Sequence, residues 1–245
     1  GDGAVYLEKY VHPARHIEVQ ILADEEGHVV CLGERDCSVQ RRHQKLLEES
    51  PSPAVDSETR TALFAAVADA VRAIGYTGTL EFLRDPDGNL WFMEMNVRLQ
   101  VEHAVSEMLT LVDLVKWQIR TAAGVSLPFS QTGIPMKGAV IECRINALSP
   151  GTVSLLHVPG GPFVRFDTYL VQGVAVSPFY DSLVGKLIVY GADREQAIVR
   201  MRRALAEMLF EGVVTATDYQ MHILCSKAFV EANFNVNSIA NGDFD

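Results

Sequence analysis

Residues 90–102 hold the densest run of chemically useful side chains in the sequence. At the two-residue period of a strand, one face presents Glu94, Asn96, Arg98, Gln100 and Glu102, and the other Trp91, Met93, Met95, Val97, Leu99 and Val101. A half-buried strand with one wet face has this alternation. A solvated face usually carries Lys, Thr and Ser, however. Acid, amide, guanidinium, amide and acid in succession suit the joint binding of a metal and a small anion.

Upstream, Gly78–Arg84 and residues 89–95 read as strands joined by Asp85-Pro86-Asp87-Gly88, which is strong hairpin chemistry. If Asp87-Gly88 form a two-residue turn, Glu81 faces Glu94; a three-residue turn with Gly88 left-handed shifts the pairing by one. Facing carboxylates repel unless a cation neutralises them, so the first register suggests a hard divalent ion such as Mg²⁺ on oxygen ligands. Residues 34–45 concentrate Arg35, Arg41, Arg42, His43 and Lys45 in an otherwise acidic chain. This is either a solvated loop paired with Glu48 and Glu49 or a polyphosphate clamp, in which each charge-assisted bond contributes about 1.5–3 kcal/mol. His16 and Glu18 share a strand face, and Glu102 adjoins His103, but neither pair has zinc-ligand spacing with a third partner. Both histidines are expected at the surface. On Ala139–Asn146, Glu142, Arg144 and Asn146 oppose Ile141, Cys143 and Ile145, as in an exposed strand with one ion pair. Pro159-Gly160-Gly161-Pro162 reads as a turn, and nucleophile-elbow, zinc-protease, Walker and Rossmann motifs are absent from the sequence.

The positioning elements are expected to be strands over residues 5–11, 17–22 and 29–32 in a meander, then a helix capped by Asp56 or Ser57 and stopped by Gly75, with Leu63, Val67, Ala70, Val71 and Ile74 inward. After the hairpin, one helix over residues 104–123 carries Met108, Val112, Val115, Ile119 and Ala122 on a stripe. Residues 124–138 have no periodicity and read as a linker. Beyond it come strands at Ala139–Asn146, 163–170 and 187–190. A helix from Asp193 follows with Ile198, Met201, Leu205, Met208 and Leu209 inward, and then a helix opened by a Thr217-x-x-Gln220 capping box. The sequence shows no internal repeat.

With 48% hydrophobic and 21% charged residues, 245 residues can fill one large core or two ordinary ones, and disorder is excluded. No apolar run approaches the roughly 18 residues that span a bilayer, and Gly1-Asp2-Gly3 offers no export signal, so no membrane association is expected. The net charge of −10 argues against nucleic-acid backbones as partners, although a local basic site can still take a phosphorylated small molecule. Cys31, Cys37, Cys143 and Cys225 lack a CxxC pair and read as reduced thiols of a cytoplasmic chain.

Six segments resemble biotin carboxylase, the ATP-grasp ligase of acetyl-CoA carboxylase and related biotin-dependent carboxylases: Glu8-Lys9-Tyr10, Arg15-His16-Ile17-Glu18-Val19-Gln20, residues 34–45, residues 94–103, Glu142-Cys143-Arg144-Ile145-Asn146 and Tyr180-Asp181-Ser182-Leu183-Val184-Gly185-Lys186-Leu187. The likeness covers almost the whole chain. It implies an α+β fold: an ATP-grasp catalytic subdomain over residues 1–126, with an antiparallel sheet and flanking helices, followed by a biotin carboxylase C-terminal domain over 136–245. It further implies that Glu8, Lys9 and Val11 form a hinge against adenine, and that His16, Gln40, His43, Glu81 and Glu94 complete the ATP site. Glu81, Glu94 and Asn96 hold Mg²⁺ or Mn²⁺. Lys45, Arg98, Gln100, the backbone of Val101 and Glu102 bind bicarbonate, with Glu102 as general base, and Arg144 stabilises the deprotonated ureido group of biotin. Lys45, Arg98, Glu102 and Arg144 are thus the implied catalytic set. Bicarbonate attacks ATP to give carboxyphosphate, whose CO₂ is captured by biotin on a biotin carboxyl carrier protein. A carboxyltransferase partner, a homodimer and service to fatty acid synthesis are also implied, while pyruvate, propionyl-CoA and urea carboxylation stay open. So do a non-catalytic dimerising and carrier-docking module and a carbamoyl-phosphate-type ligase.

Two departures qualify the likeness. Family members begin with a nucleotide-fold domain and a glycine-rich lid, and this chain starts after both. They also carry a longer acidic stretch where Leu148-Ser149-Pro150-Gly151 stands here. Without the lid, the chain alone is expected to show little or no turnover. Robust biotin-dependent ADP release from ATP, Mg²⁺, bicarbonate and free biotin would contradict that expectation.

Overall fold

Apolar alternation near the N-terminus builds long antiparallel strands. The computed structural model describes residues 3–245, so the first two positions of the expected first domain lie outside the described residues. β1 (Arg15–Ala23) pairs with β2 (Val29–Arg41), which runs on through the basic stretch and turns into β3 (Gln44–Ser50). Residues 34–41 are therefore ladder backbone rather than a solvated loop. Val39 and Leu47 lie in one core cluster, and Glu34, Arg35 and Asp36 are at most 2% exposed. Arg42 and His43 form the turn at φ +52° and +63°, the left-handed pair that matches strand twist in a two-residue hairpin. Residues 5–11 do not form the expected strand. Val5 and Leu7 are 92% and 99% exposed, so no core rewards a ladder there.

α1 (Ser57–Ile74) is capped by the Asp56 side chain, which accepts from Thr59 N–H, and ends at Gly75 in the left-handed region. It buries Leu63, Phe64, Val67, Ala68 and Val71 against Ile17, Val19 and Ile21. Its inward stripe thus omits Ala70 and Ile74. The hairpin β4 (Gly78–Arg84) to β5 (Leu90–Asn96) follows, closed by Asp85 N–H donating to Asn89 O at 3.0 Å. The single expected helix over 104–123 is instead α2 (His103–Thr110) and α3 (Leu114–Ala122). Leu111 breaks it at φ +59°, and the Asp113 side chain starts the new helix by accepting from Lys116 N–H. The change of direction buries Leu114 and exposes Val115 and Ile119, members of the expected stripe.

A 3₁₀ turn at Gln131–Gly133 interrupts the expected linker, and β6 (Ala139–Asn146) re-enters the sheet. Short strands β7 (Gly151–Thr152) and β8 (Leu155–His157), then β9 (Val164–Thr168), β10 (Ala175–Val176) and β11 (Leu183–Gly191), lead to α4 (Arg194–Glu207). β12 (Leu209–Glu211), α5 (Thr217–Cys225), α6 (Lys227–Val230) and α7 (Ser238–Asn241) complete the order. α4 buries Ile198, Met201 and Leu205 as expected, whereas Leu209 leaves the helix for β12 and is 51% exposed. The Thr217/Gln220 capping box does not form. Gln220 is buried and donates to the carbonyls of Leu46 and Arg144 instead.

The α+β architecture rests on one eight-stranded antiparallel sheet in the order β5-β4-β1-β2-β3-β6-β11-β9. β3 pairs with β6 through Leu47–Cys143 and Glu48–Glu142, so the sheet crosses the expected domain boundary without a break. No helix among the described residues is long and apolar enough to cross a membrane. Leu111 combines 83% exposure with a left-handed backbone, a conformation that strains a side-chain-bearing residue by about 1–2 kcal/mol. Leu111→Gly should therefore raise unfolding stability in urea by about 0.5–1 kcal/mol, glycine's greater unfolded-state entropy offsetting part of the relief.

Candidate active site

Register alone assembles the first row of the site. Arg35 on β2 lies opposite Glu18 on β1, Glu18 opposite Glu81 on β4, and Glu81 opposite Glu94 on β5. The Glu81–Glu94 pairing expected from the sequence is present, but a different turn produces it. The five-residue loop 85–89 sets the outer hairpin one residue out of that register, pairing Phe82 with Phe92, and a bulge beside Glu81 restores it. β5 ends at Asn96, and residues 97–102 leave the sheet as a loop. Leaving the ladder brings Gln100 and Glu102 into the interior at 4% and 2% exposure, while Val97 stays 62% exposed.

From that row an alternating chain of charges crosses the sheet. Arg35 meets Glu18 at 2.6 Å, Glu18 meets Lys45 at 2.5 Å, and Lys45 meets Glu102 at 2.5 Å. Glu102 meets Arg144 at 2.9 Å, and Arg144 meets Glu48 at 2.5 Å. Burial works against ionising Glu18, yet Arg35 and Lys45 prevail and hold its carboxyl at about 2. Glu81 is likewise held at about 2 against burial, by a 2.5 Å contact with His16 Nε2 and by Lys45. Burial depresses the basicity of Arg144, but Glu48 and Glu102 outweigh it and strengthen its hold on the proton.

Glu142 overturns the expectation of an exposed strand with one ion pair. β6 is an interior strand, Glu142 is fully buried, and both of its oxygens lack a hydrogen-bond partner among the described residues. Its cross-strand neighbour Glu48 leaves one oxygen unpartnered too. Burial, and then the Glu48 charge, pushes the Glu142 carboxyl well above the usual range. A proton kept on Glu142 removes one of two like charges from this dry interior.

A cavity of about 1080 Å³ lies over this network. Its wall contains Lys9, Val11, His16, Gln40, His43, Lys45, Glu81, Glu94, Arg98, Gln100, Val101, Glu102 and Arg144, so most residues singled out in the sequence converge there. Glu8 does not line it: of the segment before β1, Lys9 to Val11 and Ala14 reach the wall. Lys9 Nζ stacks 3.5 Å over the Trp91 ring. His16 is buried, contrary to the surface position expected for it, because Glu81 and Gln40 engage both ring nitrogens. Arg98 is exposed on the wall, with no hydrogen bond or ion pair among the described residues. Asn96 lies outside the wall, but its amide nitrogen bridges Glu81 at 2.8 Å and Glu94 at 3.0 Å. Two carboxylates and a carboxamide form a hard oxygen set, and rotating the amide presents its oxygen, so these residues fit Mg²⁺ or Mn²⁺. His16, Glu18 and Glu81 also lie close enough to share an ion, but Arg35 and Lys45 already engage Glu18. Sequence reasoning missed Glu48 and Glu142 as members of the site, and noted Glu18 and Arg35 without giving them a role. The signal available for Glu18 was its place two residues after His16 on a strand.

Residues 1–130 match the family model of the carbamoyl-phosphate synthase L chain ATP-binding domain, and 142–241 that of the biotin carboxylase C-terminal domain. Biotin carboxylase 1 of Bacillus subtilis is 46% identical over 99% of this chain and 56% of its own length. Biotin carboxylase 1 of Populus trichocarpa, a chloroplastic protein, is 51% identical over 95% of this chain and 46% of its own. Among solved structures, the biotin carboxylase domain dimer of Hydrogenobacter thermophilus 2-oxoglutarate carboxylase, in complex with MgADP, ADP and bicarbonate, superposes with TM-score 0.94. It is 45% identical and covers 97% of this chain, which covers 55% of it. The Campylobacter jejuni biotin carboxylase complex with β-γ-ATP gives 0.93 at 44% identity, covering 96% of this chain and 54% of its own. The chain spans about half the length of the curated relatives it matches.

The Glu142 environment sets a pH dependence. A carboxyl whose folded pKa is raised binds its proton more tightly folded than unfolded, so stability falls as pH climbs from the unfolded value near 4.5 toward the folded one. Glu142→Gln removes that penalty while offering an amide N–H to the free Glu48 oxygen. Its thermal stability should match that of the parent near pH 4 and exceed it by about 1.4 kcal/mol per pH unit above 4.5, until the folded pKa is reached. A constant difference across pH 4–8 would contradict this.

Proposed function

Because the chain belongs to the biotin carboxylase family, we propose that it forms the floor of a site for ATP- and bicarbonate-dependent carboxylation of biotin on a carrier protein, by way of carboxyphosphate. The observation that carries this reading is the position of Glu102, held between Lys45 and Arg144 at the base of a cavity whose other wall holds the Glu81–Glu94 pair.

Each of these groups suits one part of that chemistry. Lys45 and the unpaired Arg98 attract the bicarbonate anion, and Gln100 offers it a hydrogen-bonding amide. Glu102 accepts the bicarbonate proton as the oxygen nucleophile attacks the γ-phosphoryl group, and Lys45 beside it stabilises the charge that develops. Arg144 sits on the far side of Glu102, placed to hold the ureido oxygen of biotin while its nitrogen gains negative character. His16, Gln40 and His43 border the nucleotide, and Lys9 and Val11 line its outer edge. When bound at Glu81, Glu94 and Asn96, Mg²⁺ or Mn²⁺ neutralises phosphate oxygens.

The finer assignments rest on the relatives. Service to an acetyl-CoA carboxylase and fatty acid synthesis is part of this reading, but identity alone does not select it: the 2-oxoglutarate carboxylase domain, at 45%, stands beside the curated biotin carboxylases at 46–51%. The division at residues 126 and 136, a cytoplasmic site of action, a homodimer and a carboxyltransferase partner belong to the same reading. The dimeric Hydrogenobacter relative supports the homodimer. Placed in a full-length carboxylase chain, Glu102→Gln should lower biotin-dependent ADP release by roughly 10²–10⁴-fold. Calorimetry on the Glu81→Gln/Glu94→Gln double variant should show nucleotide binding that no longer responds to Mg²⁺. Unchanged turnover in Glu102→Gln would leave the chain a docking module without catalysis.

A further inference from the structure

Lys186 lies on β11, in the half of the chain that matches the C-terminal family model, yet it reaches the loop that lines the active cavity. Its ammonium donates to the Val101 carbonyl at 2.6 Å. The side chain is only 11% exposed, and its nearest acid, Asp167, stands 3.9 Å away. Across the sheet it faces Arg144 on β6 and Asp167 on β9. Burying a lysine beside a second cation is costly, and here the close partner is a neutral carbonyl rather than a carboxylate. The bond to Val101 is therefore the specific contact that this cation makes.

Residues 97–102 have no ladder to fix their peptide planes. Gln100 and Glu102 are held through their side chains, by Arg35 and Glu81 in one case and Lys45 and Arg144 in the other. The Glu102 carbonyl accepts from Val105 N–H at 3.1 Å as α2 begins, and two carbonyls before it are also held. The Gln100 carbonyl accepts from His103 N–H at 3.3 Å and lies 2.8 Å from His103 Nδ1, and the Val101 carbonyl accepts from Lys186. Val101 lines the cavity and Lys186 does not, so the bond draws the carbonyl oxygen away from the wall. In a trans peptide the N–H lies opposite the carbonyl. A carbonyl oxygen turned inward presents partial negative charge to any anion that Lys45 and Arg98 attract.

We infer that Lys186 is a positioning residue for the anion subsite: it ties back the Val101 carbonyl, so that an entering oxyanion meets cations and amide N–H groups instead of a carbonyl oxygen. The inference rests on the reading of this cavity as a bicarbonate site. It also gives the C-terminal half a direct part in shaping a loop of the N-terminal half.

Hydrogen exchange on this chain and steady-state kinetics of the same variants in a full-length carboxylase test it together. Lys186→Met should speed exchange of the amides of residues 98–102 by about tenfold or more, the scale of one lost charge-assisted hydrogen bond. Its bicarbonate KM should rise by a similar factor while its ATP KM stays within about twofold. Lys186→Arg keeps the charge but swaps a point donor for a planar fork, so its bicarbonate KM should rise by only about two- to fivefold, again without a matching rise for ATP. Unchanged exchange at 98–102 overturns the inference, and so do parallel rises in both KM values for either variant. If exchange responds as expected but bicarbonate neither binds the wild-type chain in calorimetry nor stimulates ADP release, the positioning role stands and the carboxylase reading falls.

Discussion

Five buried carboxylates and three cations at least largely buried, strung across a sheet, are tolerable only if their signs alternate. Glu18, Glu48, Glu81, Glu102 and Glu142 are each 4% exposed or less, and Arg35, Lys45 and Arg144 are threaded between them. Removing one member strands a neighbouring charge in a medium that solvates it poorly, so the chain is stable as a whole and fragile in its parts. The acids outnumber the cations, and the excess appears where the network ends. At Glu81 it is met by His16, Asn96 and Gln100. At the Glu48–Glu142 pair Arg144 meets one Glu48 oxygen, the Glu142 oxygens have no donor among the described residues, and a raised pKa keeps a proton on Glu142.

The site depends on this alternation as much as the fold does. Glu102 is a carboxylate held between two cations, Lys45 and Arg144, at the cavity wall. A reactant anion arriving at Lys45 competes directly with Glu102 for that charge. Anion entry and release of the Glu102 carboxylate are thereby coupled, through the geometry of three side chains on β3, β6 and the start of α2.

Much of this was legible in the sequence because it follows from short-range pattern. The alternation across Glu94 to Glu102 marked a stretch whose Glu94, Arg98, Gln100 and Glu102 line the cavity, and the hairpin text brought Glu81 opposite Glu94. That prediction succeeded by compensation, since the turn is longer than supposed and a bulge corrects the register. Long-range pairing was not legible. Residues 34–41 looked like a charged loop because their charges are neutralised by Glu18 and Arg15 of β1 and Arg60 of α1, neither element adjacent in sequence. Glu142 looked like a solvent-facing acid for the same reason: its strand is covered on both sides by partners that its own residues do not announce. Helix 104–123 was misread because Leu111 supplies no glycine or proline to mark the break, and Asp113 is an ordinary acid until it caps α3. Residues 5–11 have strand-like composition but no apolar partner to reward a ladder.

The unbroken joint between β3 and β6 has a mechanical consequence. Lys45 and Arg144 stand on neighbouring strands of one sheet, locked in step by Leu47–Cys143 and Glu48–Glu142. The Lys45 side and the Arg144 side of the cavity therefore cannot swing apart as two jaws. The floor acts as an anvil whose two working faces keep a fixed spacing.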